Sequence, residues 1–231
     1  MQIEIFADAA AVAAAGAEHV ARAARTPTAA RGVFLLAVSG GHTPWEMLRV
    51  LARLDVPWAQ VHVFQVDERI APAGDPERNL THLQESLLAN APLPAANVHA
   101  MPVEATDPEA SAAEYARTLA ALGGSPAVLD LVHLGLGPDG HTASLVPGDS
   151  VLEVRDRDVA VTGAPYQGRR RMTLTYPAIN RAREILWLLD GAAKATMLPL
   201  LRSGDASIPA GRVSGARATA IVDRAAAGAG Q

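Results

Sequence analysis

LVHLGLGPDGHTASL, residues 131–145, opens apolar and rich in strand formers, then runs through Gly135, Gly137 and Gly140. Glycine lets a backbone turn sharply and come close to a ligand. Asp139, His141 and Thr142 follow, so an acid, an imidazole and a hydroxyl sit on a loop just past a buried strand. Catalytic groups are commonly presented in this way, on a loop held by a rigid scaffold. A second glycine loop, SGGHTP at 39–44, also follows an apolar run, VFLLAV at 33–38. Runs apolar on both faces are typical of parallel strands covered on both sides. Two strand–loop units of this kind point to an α/β enzyme acting on a phosphorylated small molecule.

Composition narrows the class. With 231 residues, 49% hydrophobic and 19% charged, the chain is long enough for one large domain with a substantial core and too apolar for disorder. A formal charge of −4 speaks against a nucleic-acid partner, and the one basic cluster, Arg169 to Arg171, reads as a solvated loop. Lack of cysteine removes disulfides, thiol nucleophiles and thiolate metal sites. No apolar run reaches ~18 residues and the N-terminus, MQIEIFADAAAV, has no signal-peptide layout. No membrane partner is therefore expected, and the cytoplasm is the default location. The pattern does not separate a monomer from a small homo-oligomer.

Outward from the two loops, strands alternate with helices. A strand is expected at 3–6, then a helix capped by Asp8 and running to about Arg25, a turn-rich break at 26–32, and the strand 33–38. Pro44 opens a helix with Met47, Leu48, Leu51 and Leu54 as its apolar stripe. A third strand at 58–66 ends in Asp67, Glu68 and Arg69, followed by a helix over 79–89 and a short strand at 98–100. Asp107 caps a helix with Pro108 in its first turn, ending near 122, and 128–136 is the central strand. Strands at 159–162, 172–175, 185–189 and 218–222, a helix at 192–201 and a frayed tail from about 225 complete the pattern. Such alternation predicts a mostly parallel open sheet with helices on both faces, and no linker or repeat divides residues 1–231 into more than a single domain.

GLGPDG matches the dinucleotide fingerprint G-x-G-x-x-G, but the helix expected behind it, HTASLV, stops at Pro147 and Gly148. The loop lies mid-chain, and Pro138 removes one backbone donor from it. SGGHTP suits phosphate better. The amides of Gly40, Gly41 and His42 gather at a helix N-terminus, with the hydroxyls of Ser39 and Thr43 beside them. It is neither a Walker loop nor a nucleophile elbow, because no Gly-Lys follows and Ala37 stands where the elbow needs glycine. Its weight comes from its company: Asp67, Glu68 and Arg69 at one strand end, Asp139, His141 and Thr142 at another, and Lys194 in GAAK after EILWLLD. In open α/β sheets, ligands bind beyond the carboxyl ends of the strands.

The segments SGGHTP (39–44), VFQVDER (63–69) with Asn79, LGLGPDGHTASLVPG (134–148), RMTLTYPAIN (171–180) and GAAK (191–194) together resemble the 6-phosphogluconolactonase family, within a wider group that includes glucosamine-6-phosphate deaminases. HTAS after the Asp-Gly step and DER at the strand end point to the lactonase side of that group. PAGRV (209–213) fits as well, whereas the aromatic expected near Ala218 is absent. The resemblance implies a fold like that of the deaminases and ribose-5-phosphate isomerases, no cofactor or metal, a sugar-phosphate lactone as substrate, and a place in the oxidative pentose phosphate pathway.

A lactone carbonyl is already electrophilic, so its hydrolysis calls for a positioned water, a base and stabilisation of the oxyanion. His141 is the expected base, Asp139 its orienting acid, and Asp67 a holder of water or a sugar hydroxyl. Ser39, Gly40, Gly41, Thr43, Arg69, Asn79, Thr142, Arg171 and Lys194 are the expected substrate and phosphate contacts. Whether Arg69, Arg171 or Lys194 serves the phosphate or the oxyanion stays open. Two other readings remain: an isomerase or deaminase of an amino-sugar phosphate, and a sugar-phosphate sensor without catalysis.

Overall fold

The computed structural model describes residues 1–228. Strand β1 (Gln2–Phe6) leads into helix α1 (Ala9–Arg31), whose N-cap Asp8 accepts a hydrogen bond from the Ala11 amide. This helix does not stop near Arg25. It continues through Pro27, because Val20, Ala21, Ala24 and Thr28 keep one buried face, and Thr28 Oγ1 donates to the Ala24 and Arg25 carbonyls. Gly32, at φ +72°, ends it in the left-handed conformation that favours glycine. Only Gly32 and Val33 separate it from the next strand, at Phe34–Val38.

Next come β2 (Phe34–Val38), α2 (His42–Leu51), β3 (Val61–Gln65), β4 (Asp67–Arg69) and α3 (Asn79–Leu83), which widens into a π turn over Gln84–Leu88. They are followed by β5 (Val98–His99), α4 (Pro108–Gly123), β6 (Leu131–Leu134), β7 (Val159–Val161) and β8 (Arg171–Leu174). The chain ends with α5 (Tyr176–Arg181), β9 (Glu184–Leu189), α6 (Leu198–Ser203) and β10 (Ala218–Asp223). The segment HTASLV forms no helix; Thr142 and Leu145 instead pair in an isolated bridge. Helix α5 has too short an apolar period to be read in advance. The helix expected over 192–201 is split into a 3₁₀ turn at Ala192–Lys194 and α6, because Pro199 is accommodated only in a first turn.

Seven strands form the main sheet in the order β1-β10-β9-β6-β2-β3-β5, and every pairing in it is parallel. Strand β6 is central. From β2 the chain winds outward to β3 and β5, and from β6 to β9 and β10, while the first strand, β1, takes the edge beyond β10. The adjacent β2–β6 pair is therefore the switch point, and both glycine loops leave from its carboxyl end. Ala218 pairs with Ile185 at the start of β10 and is buried, so the missing aromatic leaves that strand intact.

A second, antiparallel sheet has the order β4-β8-β7. Asp67, Glu68 and Arg69 belong to it rather than to the tail of β3. Val66 marks the transfer: its amide still donates to Val38 in the main sheet, while its carbonyl accepts from Leu174 in the small one. Alternation along β2 divides the core. Phe34, Leu36 and Val38 face α1 and α2, whereas Leu35 and Ala37 face a core shared with α4, α5, α6 and the small sheet. Residues 225–228, expected to fray, turn back on β10 with Ala226 buried and its amide donating to Asp223 Oδ1; the remainder of that expected tail, 229–231, lies outside the described residues. Among the described residues no helix is long and apolar enough to cross a membrane.

Candidate active site

A cleft of about 530 Å³ opens over the carboxyl ends of β2, β3, β6 and β9. The loop after β6 delivers His141 to it. Gly137 donates its amide to the His141 carbonyl at 2.8 Å, and Gly140 donates to the Gly137 carbonyl at 3.0 Å, which closes a tight turn. This turn sets His141 Nδ1 2.5 Å from Asp139 Oδ1, with the His141 amide 3.2 Å from the same oxygen. Burial pushes the Asp139 carboxyl up, but hydrogen bonds from the His141 side chain and amide and from the Tyr166 hydroxyl outweigh it, leaving the carboxyl below its ordinary range. An ionised carboxylate only accepts, so His141 carries its proton on Nδ1 and leaves Nε2 with a lone pair. A Cβ on Gly137 would lie 2.0 Å from Nδ1, so only glycine leaves room for the pair.

Across the cleft, Gly41 is the N-cap of α2 at φ +132°, and a Cβ on Gly40 would collide with Asn79 Oδ1 at 2.0 Å. The ten-residue α2 ends here with the free amides of its first turn, a favourable place for an anion. Ser39 is buried, its amide donating to His133 Nδ1 and its Oγ without a partner. Thr43 lines the cleft, but its hydroxyl donates to Asp190 Oδ1 at 2.6 Å; it braces the loop and is not a free donor.

Asp67 also lines the cleft, its Oδ2 accepting from Ser144 Oγ at 2.6 Å. Asn79 is fully engaged: Nδ2 donates to the Asp67 carbonyl at 2.9 Å, and Oδ1 accepts from Arg69 Nη1 at 2.6 Å. It therefore holds Asp67 and Arg69 in place instead of offering itself to substrate. Glu68 is wholly buried and accepts from the amides of Arg69, Asn79 and Leu80 and from the Gln65 side chain, with Arg78 Nε 3.4 Å away. Its work is structural.

The basic run at 169–171 divides by function. Arg169 pairs with Asp75 and Glu77, and Arg170 with Glu109. Arg171 is buried, not solvated; it lines the cleft with Nε unpartnered, and burial holds its guanidinium below the ordinary range. Lys194 reaches the cleft from the 3₁₀ turn after β9 and has no carboxylate partner among the described residues. Thr142, expected to touch substrate, is 1% exposed and outside the cleft wall, where Ala143 takes its place. Among the described residues no three His, Asp or Glu side chains cluster as a metal site requires.

A switch-point cleft that gathers a glycine loop at a helix N-terminus, an Asp–His pair and Arg and Lys side chains invites comparison with known proteins. A family model described as glucosamine-6-phosphate isomerases/6-phosphogluconolactonase matches residues 7–222. The chain belongs to this family. A Mycobacterium tuberculosis protein named 6-phosphogluconolactonase is 38% identical over 238 residues, covering 97% of this chain and 96% of its own length. Another of that name from Synechocystis sp. is 43% identical over 171 residues, 72% of this chain and 70% of that protein. The crystal structure of 6-phosphogluconolactonase from Thermotoga maritima matches with a TM-score of 0.85 at 26% identity, over 96% of this chain and 98% of that one. A monomeric glucosamine-6-phosphate deaminase shares the fold, with a TM-score of 0.85 at 20% identity over 100% of both chains.

Within this family fold, the residues expected from sequence at the strand ends line one cleft, apart from Asp139, which meets it through its contact with His141, and the buried Glu68 and Thr142. Asp190, which lines the cleft, and Ser144 and Tyr166, which hold Asp67 and the Asp139–His141 pair, carry no individual expectation from sequence. Ser144 and Asp190 lie inside segments already singled out, HTAS and LLD, and the acceptors they hold or supply become visible only once the strands are side by side. Tyr166 stands on the turn between β7 and β8 and carries no signal in the sequence.

Proposed function

We propose that this chain is a 6-phosphogluconolactonase, opening the ester ring of 6-phospho-D-glucono-1,5-lactone to 6-phosphogluconate in the oxidative pentose phosphate pathway. The observation that carries the mechanism is the 2.5 Å contact of His141 Nδ1 with Asp139 Oδ1 at the cleft. With that nitrogen engaged, Nε2 takes a proton from water as the water oxygen attacks the lactone carbonyl carbon. Collapse of the tetrahedral oxyanion breaks the bond to the ring oxygen, and Nε2 returns its proton to that leaving oxygen. Arg69, Arg171 and Lys194 supply positive charge for the phosphate and the developing oxyanion. Ser39, Gly40 and Gly41 at the start of α2 seat the phosphate, and Asp67 holds a sugar hydroxyl.

The test is hydrolysis of freshly generated 6-phosphogluconolactone, followed by proton release and corrected for the spontaneous reaction. Wild type is expected to accelerate it, and His141→Ala to lose about 10²–10⁴-fold in rate while keeping its fold. Ammonia release from glucosamine 6-phosphate without lactone hydrolysis would replace this reading with the deaminase one.

A further inference from the structure

Tyr166 stands on the turn between β7 and β8, where Tyr166 and Arg169 pair across Gln167 and Gly168, both left-handed at φ +53° and +82°. Two successive positive φ values make a tight hairpin reversal. The turn carries the Tyr166 hydroxyl to 3.1 Å from Asp139 Oδ2 and 3.3 Å from His141 Nδ1. Its ring meets the imidazole edge-on at 5.2 Å, and the Arg171 guanidinium lies over the ring at 5.0 Å. Arg171 Nη2 also donates to Gln167 Oε1 at 2.9 Å, tying the turn to the cleft wall. The hydroxyl has one proton, and an ionised carboxylate only accepts. That proton therefore goes to Oδ2, and the oxygen presents lone pairs to Nδ1–H.

We propose that Tyr166 is a positioning residue for the hydrolysis: its hydroxyl fixes the rotation of the Asp139 carboxylate and so keeps the His141 proton on Nδ1. The inference rests on the lactonase reading above. Asp139 needs such a restraint, since its side chain is 37% exposed and water competes for both oxygens. Burial and the neighbouring carboxylate raise the Tyr166 hydroxyl above its ordinary range, so it remains a donor at neutral pH.

Tyr166→Phe removes only the oxygen. Its kcat is expected to fall about tenfold, the scale of one hydrogen bond to a charged group, with KM nearly unchanged. The acid limb of kcat/KM moves to higher pH, because losing the donor leaves more negative charge on Asp139 and favours the protonated imidazole. The other charged groups of the cleft, Arg171 over the ring and Asp67, Arg69, Asp190 and Lys194 along the same wall, are left in place. Nitrogen NMR of the His141 ring reads the tautomer without turnover: Nδ1–H in wild type, a mixture in Tyr166→Phe. Wild-type kcat, acid limb and tautomer in Tyr166→Phe would overturn the proposal, as would a rate loss that only follows a lower unfolding temperature. A wild type that does not accelerate lactone hydrolysis would sink the lactonase reading, and the tautomer would then decide the role of Tyr166 alone.

Discussion

Gly137 shows how much of this site depends on a missing methyl group. A Cβ there would lie 2.0 Å from His141 Nδ1 and 2.7 Å from Asp139 Oδ1. Gly137 is not among the glycines with positive φ, so alanine fits the backbone and the clash falls on two side chains that can move. Gly137→Ala is accordingly expected to lower kcat by about 10²-fold with little change in the thermal unfolding midpoint; steady-state rates beside a thermal melt would check both. The loop was legible at this scale because glycines, an acid and an imidazole in close succession have few other uses. The fates of Thr43, Asn79 and Thr142 were not. A hydroxyl or amide near a site looks like a ligand contact until its partner, here Asp190 for Thr43 and Arg69 with Asp67 for Asn79, is brought up by another strand.

At the scale of elements, α1 departs most from its local sequence. Pro27 has no amide to offer the Ala23 carbonyl, yet the helix continues for another turn because Thr28 is drawn into the core. Tertiary burial overrides the breaker. Pro27→Ala restores a helical hydrogen bond and is expected to raise unfolding free energy by about 1–2 kcal/mol, part of the gain being offset by a freer unfolded chain. An unchanged urea midpoint would mean the helix accommodates the ring without loss. Strand β4 is the converse case. Its residues read as the end of β3, and only the change of partner at Val66 moves them into the small sheet. That move directs Asp67 and Arg69 over the cleft and sets Arg69 opposite Arg171.

For the whole molecule, the core is sensitive to acid. Burial pushes the fully enclosed His133 imidazole down to about 4, and burial together with the charge of His62 holds His99 at about 4. An unfolded imidazole takes its proton near 6.5, so between pH 6.5 and about 4 the unfolded chain binds more protons than the folded one. Stability must fall as pH drops through that window, by about 3 kcal/mol for His133 alone. The depressed Asp139 carboxyl adds a further loss at lower pH, as its folded form is protonated. Urea unfolding across this range is expected to show the decline; a flat profile would mean these histidines do not stay neutral inside the fold.

The sequence by itself determined the α/β architecture, the parallel sheet and the strand ends that line the cleft, because hydrophobic periodicity, caps and glycine placement are local properties of the chain. Tertiary structure decided which charges remain free. Arg169 and Arg170 find carboxylates, Glu68 disappears beneath three amides, and Arg69, Arg171 and Lys194 are left to face the cleft. It also brought Tyr166 to the Asp139–His141 pair on the turn of the β7–β8 hairpin, whose pairing local patterning did not announce. Pairing between distant segments depends on the register of whole strands, and no short window of sequence contains that register.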